Sequence, residues 1–219
     1  MKKTLPLLVF AGGLAFGFFA LTFRGPRRKF WDRMTGTGVS LGTLALVAEP
    51  KLRRTRIGFK DILMGIGSAA ALYGIFHIGD RISRVVVPKG GEQIEEIYKL
   101  KRIRPRRELM LRLGLVIGPS EEFFWRGFLQ DGLMQRFGRF WGTLMGVAAY
   151  GGAHLISGNF TLVGAATVAG AFWGGLYALG MPLGGLIVSH IIWDNLIFLI
   201  APTTRLEEEQ NADQTVQVE

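Results

Sequence analysis

Cysteine is absent from the 219-residue chain, which excludes disulfides, thiolate metal sites and a cysteine nucleophile. Histidine is scarce. With three in the chain, imidazole chemistry has only His77, His154 and His190 to draw on. Charge is missing over long stretches even though 20% of residues are charged. Mean hydropathy is nevertheless +0.29, so the charges are segregated from apolar runs. That segregation rules out a disordered chain and argues against an ordinary soluble globule. The length allows one or two domains and excludes a large multidomain enzyme. The composition is that of a membrane protein.

Thr4 to Phe23 carries no Asp, Glu, Lys or Arg, and roughly 20 apolar residues cross the hydrocarbon core as a helix. The Met1-Lys2-Lys3 start resembles a signal-peptide n-region. No small-x-small cleavage site follows Phe18-Phe19-Ala20-Leu21, so a retained anchor is expected. Met34 to Ala48 is uncharged but short and rich in Gly and Thr, which allows either a thin span or a re-entrant segment. The second reading has an attraction. Basic stretches at Arg24 to Arg33 and Lys51 to Lys60 flank this segment, and a span would force one of them outward. Ile62 to Gly79 is a better span, with His77 as its only titratable group.

In Asp80 to Glu108, Ile94, Ile97, Leu100 and Ile103 recur at three-residue spacing, beside a run of cations from Lys99 to Arg107. This predicts an amphipathic helix on the membrane surface, its cations against anionic lipid. Nucleic-acid binding would need a soluble module that is not present. After Arg139, fifty-four residues from Phe140 to Trp193 are uncharged. Glycine and proline punctuation divides the region into helices at about Phe140 to Ile156, Phe160 to Leu179 and Pro182 to Ile200. Gly142-x3-Gly146 and Gly170-x3-Gly174 are packing signals, since small residues let membrane helices approach closely. Thr203 to Glu219 reads as an acidic, disordered tail.

Ionisable groups at bilayer depth are expensive and mark functional sites by default. They gather in three places. In Gly118-Pro119-Ser120-Glu121-Glu122-Phe123-Phe124-Trp125-Arg126, Pro119 and the N-cap Ser120 predict a helix start, with both glutamates in its first turn. Glu122 and Arg126 are spaced for an ion pair, leaving Glu121 a free carboxylate on another face. Tyr150 and His154 share a helix face, Tyr150 as a packing aromatic with its hydroxyl bonded, and so do His190 and Asp194. Two chemistries fit. In one, Glu121 and His154 activate a water while His190 and Asp194 stabilise the oxyanion or fix the geometry. In the other, Glu121, His154 and His190 bind a zinc ion that activates the water. His77, alone near a helix end, reads as an interfacial or satisfied histidine.

Glu121-Glu122-x3-Arg126, Tyr150-x3-His154 and His190-x3-Asp194 together resemble the CPBP family of CAAX-protease and bacteriocin-processing (Abi-type) membrane proteins, whose motifs run EExxxR, FxxxH and Hxxx(N/D). The resemblance covers roughly Leu109 to Leu199. It implies an all-helical intramembrane endopeptidase with catalytic Glu121, His154, His190 and Asp194, supported by Glu122, Arg126 and Tyr150. Of the family's two described mechanisms, the glutamate base suits one free carboxylate better than the metalloprotease. Tyr150 stands where Phe is commoner, and Asp194 where Asn is commoner. An ionised carboxylate only accepts hydrogen bonds, so Asp194 is a poor oxyanion donor.

The expected fold is therefore an all-α, multi-pass transmembrane bundle of about five to seven spans, with an amphipathic surface helix and a polar intramembrane cavity. Residues 1–108 form N-terminal helices and the basic segment, 109–202 the catalytic core, and 203–219 the tail. The leading function is hydrolysis of peptide bonds in membrane-associated proteins or peptides. No organic cofactor is expected, with zinc as the alternative. The partners are membrane lipids and a peptide substrate, in a bacterial inner membrane. A rival reading is a non-catalytic scaffold assembling with a larger membrane complex. A proton-relay transporter is a third, opposed by the absence of an internal repeat.

Overall fold

A computed structural model describes residues 3–204. These residues fold into eight helices without a strand: α1 Leu5–Phe23, α2 Phe30–Ala48, α3 Phe59–Val86, α4 Gly90–Lys99, α5 over residues 106–137, α6 Arg139–Ala153, α7 Phe160–Ala178 and α8 Leu183–Asn195, the last continued by a π-helical turn Leu196–Ile200. The three helices read from the uncharged stretch appear as α6, α7 and α8. Most of the predicted acidic tail lies outside the described residues.

Among the described residues, α1, α3, α7 and the segment Leu183–Ile200 are long and apolar enough to cross a membrane. The sequence reading of five to seven spans also counted segments that fail this test for visible reasons. α6 has only 15 residues. α2 opens on Asp32 and Arg33, and α5 carries the site's own charges.

Over the Met34 to Ala48 segment, α2 is a regular helix of 19 residues, about 28 Å long at 1.5 Å per residue. At its N-terminal end the Trp31 indole N–H donates to the Leu100 carbonyl at 2.8 Å. At the other end Glu49 meets Lys3, from the start of α1, at 3.2 Å. The two flanking basic stretches thus sit at opposite ends of the bundle. Lys3 and Lys51 both reach Asp131 Oδ2, at 2.7 and 3.1 Å, which pins α1 and the α2 exit to the far end of α5.

α4 is amphipathic, and its buried side is formed by Ile94 and Tyr98, packed against Phe198 at the end of α8. Only the Leu100 to Ile103 step of the three-residue spacing falls on a 3-10 turn, whose period is three; Ile94 and Ile97 lie in α4 itself. Some of the neighbouring cations are also engaged by protein: Arg104 pairs with Asp32 at 2.8 Å, and Arg112 with Glu108 at 2.7 Å.

α5 departs most from expectation. It runs unbroken through Pro119, with π-helical stretches at Arg112–Ile117 and Glu122–Gln130. A proline in a helix interior clashes with the carbonyl four residues back. The widened turn ending in Gly118 N–H to Leu113 O relieves this. Ser120 is therefore no N-cap, and neither glutamate is stabilised by a helix start. Gly138, at φ 83°, turns the chain from α5 into α6.

Glycines set the spacing around α5. A Cβ on Gly142 would lie 2.3 Å from the Met134 backbone nitrogen, and one on Gly146 3.1 Å from Gln130 Cβ. On the opposite side, a Cβ on Gly42 of α2 would lie 2.8 Å from Ser120 Oγ and 3.2 Å from Ser120 Cα. Gly42→Ala is therefore expected to destabilise the bundle by about 1–3 kcal/mol. Gly12→Ala, where a Cβ meets nothing within 4 Å, should leave it unchanged or slightly more stable. Thermal unfolding of both variants in detergent measures the difference, and equal melting would contradict this close approach of α2 to α5.

Candidate active site

Glu121 sits midway along α5, between the two π-helical stretches, and is 7% exposed. Such widened turns are frequent at functional sites, because they re-aim side chains that a regular helix would place elsewhere. Glu121 Oε2 accepts a hydrogen bond from the Tyr150 hydroxyl at 2.8 Å. Among the described residues the carboxylate has no counter-ion, as its spacing suggests, and no hydrogen bond reaches its other oxygen.

His154 follows the last residue of α6. Its Nδ1 lies 2.9 Å from the Tyr150 carbonyl oxygen. A carbonyl only accepts, so Nδ1 carries the hydrogen and Nε2 keeps its lone pair. Phe19 and Phe23 of α1 close around the imidazole, with centroids 5.0 and 5.8 Å away. Tyr150 therefore joins both groups, by its hydroxyl to Glu121 and by its carbonyl to His154.

A second cluster adjoins the first. Glu122 is fully buried, and its Oε1 accepts from Arg126 Nη1 at 3.0 Å and from His190 Nδ1 at 2.7 Å. The ion pair read from the sequence is present, extended by a histidine from α8. His190 Nε2 lies 3.6 Å from Asp194 Oδ2, a charge contact longer than a hydrogen bond. Arg126, 2% exposed, is sandwiched between rings: its guanidinium carbon is 4.7 Å from the Tyr150 centroid and 5.3 Å from that of Trp173. Arg126 thereby links the two clusters.

His77 stays apart, packed edge-on against Tyr73 at 4.5 Å. Among the described residues, no three His, Asp or Glu side chains converge so as to hold a metal ion. Glu121, His154 and His190 therefore do not fit a zinc site in this conformation. Among the described residues, the space beside Glu121 does not open into the expected polar cavity. It is a narrow crevice between α1, α2 and α5, lined mainly by apolar groups such as Phe19, Met34, Leu41 and Phe124. The polar groups turn inward to one another, so little polar surface remains for the crevice.

Two buried polar residues gave no signal in the sequence. Gln130 Nε2 donates to the Gly174 carbonyl at 2.8 Å, locking α5 to α7. Trp173 stacks on His190. Gln130 stands beside the charged Asp131 and Trp173 among apolar neighbours, so neither was singled out by periodicity; a tryptophan inside a long apolar run was the one available cue.

Residues 107–196 match the family model of type II CAAX prenyl endopeptidases, Rce1-like. The match includes every residue of both clusters. Comparison with curated proteins and with solved structures gave no match.

Proposed function

Starting from an Rce1-like CAAX prenyl endopeptidase family domain at residues 107–196, we propose that this chain is an intramembrane endopeptidase in which Glu121 and His154 activate the attacking water. The observation that carries the reading is Tyr150, whose two oxygens hold that carboxylate and that imidazole together. A base and its partner must be fixed in one geometry to act on one water. Glu121 takes the proton as the water oxygen bonds to the peptide carbonyl carbon. It returns that proton to the leaving nitrogen as the C–N bond breaks. His154 Nε2 faces the same reaction as the second acceptor.

His190 is the oxyanion donor of this scheme. Its Nδ1–H is committed to Glu122, so Nε2, unprotonated in the resting ring, donates to the oxyanion only after taking up a second proton from water. Asp194 acts on that ring as a charge and not as a donor. No step is routed through a metal, because the side chains of the described residues do not converge on one.

α2, α5 and α6 lie in the bilayer with the four apolar helices, giving seven membrane-embedded helices. The end where α1 leaves and α5 begins carries the larger share of Lys and Arg and faces the cytoplasm. The substrate is a peptide bond of a membrane-associated protein or peptide, and the setting is a bacterial inner membrane.

The test compares terminal peptides of membrane proteins, by mass spectrometry, from cells carrying the native chain or His154→Ala. New termini are expected only with the native chain, while His154→Ala accumulates in the membrane at near-normal levels. Retained cleavage by His154→Ala would sink its role in water activation. Identical termini in both samples, with partners co-purifying equally, would favour a scaffold in a larger complex.

A further inference from the structure

Trp173 is fully buried and lies flat on an imidazole. Its indole and the His190 ring have centroids 4.0 Å apart and planes 23° from parallel. The indole Nε1–H donates to Ser189 Oγ at 3.0 Å, both side chains being buried. Ser189 immediately precedes His190 on α8, whereas Trp173 belongs to α7. The indole is thus tethered to the helix that carries the imidazole it covers. Trp193 closes its edge at 5.4 Å and 87°, and Arg126 adds a cation at the ring.

A histidine held by one hydrogen bond can still tilt about it. The Glu122 contact fixes Nδ1 alone, and Asp194, at 3.6 Å, is too distant to fix the other edge. A flat contact on the ring face removes the remaining freedom. We infer that Trp173, anchored by Ser189, is a positioning residue that holds the His190 imidazole in the plane from which Nδ1–H meets Glu122 and Nε2 faces Asp194. Its kinetic consequence rests on the hydrolase reading; its effect on the ring does not.

A tryptophan that merely fills space predicts loss of stability and nothing more on removal. A positioning residue also predicts a change in the imidazole. Because the chain has three histidines, protein labelled with 15N-histidine in lipid nanodiscs yields three ring spin systems, and His190→Gln assigns one. The native ring is expected in a single Nδ1–H form. Trp173→Phe, which keeps an aromatic face, should retain that form and stay within about threefold of native kcat. Trp173→Leu should show a second, Nε2–H form and lower kcat about tenfold to a hundredfold with KM little changed, the scale of a misplaced catalytic group. A single Nδ1–H form in Trp173→Leu would overturn the inference. If that variant does not fold, Ser189→Ala removes only the tether. The Nε2–H form appearing there supports the inference, and unchanged nitrogen signals overturn it. A native chain without turnover would defeat the hydrolase reading, while the nitrogen signals would still decide the role of Trp173.

Discussion

Glu121→Gln is expected to lower peptide hydrolysis by about a hundredfold to ten-thousandfold, the usual contribution of a positioned general base, while leaving folding intact. The amide oxygen of glutamine can still accept from the Tyr150 hydroxyl, so the 2.8 Å contact that seats the side chain survives. Only the capacity to take a proton from water is lost. Tyr150→Phe separates seating from chemistry. It keeps the ring over Arg126 and the carbonyl that orients His154 but removes the hydroxyl from Glu121. A hydrogen bond to a charged group contributes about 1.5–3 kcal/mol, so the loss should be roughly tenfold to a hundredfold. Initial-rate measurements on purified variants place the two effects in order, and a larger loss for Tyr150→Phe than for Glu121→Gln would contradict the assignment of the base.

Glu122→Leu is expected to act through stability instead. Glu122 is the common acceptor for Arg126 and His190, and all three are buried. Removing it strands a guanidinium in an apolar interior, where breaking a buried pair from one side costs about 3–5 kcal/mol. For a chain of this size that corresponds to a drop of roughly 10 °C in apparent Tm. Arg126→Met leaves the carboxylate stranded in turn. Glu122→Leu combined with Arg126→Met should recover part of the loss, because exchanging a whole buried pair for apolar groups is far milder than halving it. Unfolding in detergent, followed for the singles and the double, tests this. Additive losses would show that the two residues do not act as a pair.

Much of the site was legible because charge inside an apolar run is conspicuous. Glu121, Glu122 and Arg126, the Tyr150–His154 pair and the His190–Asp194 pair all stand out from uncharged surroundings, and helical spacing groups them correctly. Spacing could not reveal the cross-helix partners. It paired Glu122 with Arg126 but not with His190, 68 positions later. It left the partner of the Tyr150 hydroxyl unnamed, because tertiary packing alone brings that group to Glu121. The local reading of Pro119 failed for a different reason: proline marks a probable helix boundary only where the backbone has no alternative. Here widened turns absorb the ring, and α5 continues. The apolar face read as Ile94, Ile97, Leu100 and Ile103 was only partly right: the buried residues are Ile94 and Tyr98, packed on Phe198. Amphipathicity specifies that a face is covered and is silent about what covers it.

The most direct measurement is hydrolysis by purified chain, reconstituted in vesicles and supplied with a mixture of membrane-protein peptides in H2(18)O. Glu121 and His154 acting on water predict new C-termini carrying one 18O with the native chain, none above background with Glu121→Gln, and no loss of the native signal when a chelator is added. Equal labelling by Glu121→Gln, or abolition of the native signal by the chelator, would contradict the glutamate-activated mechanism.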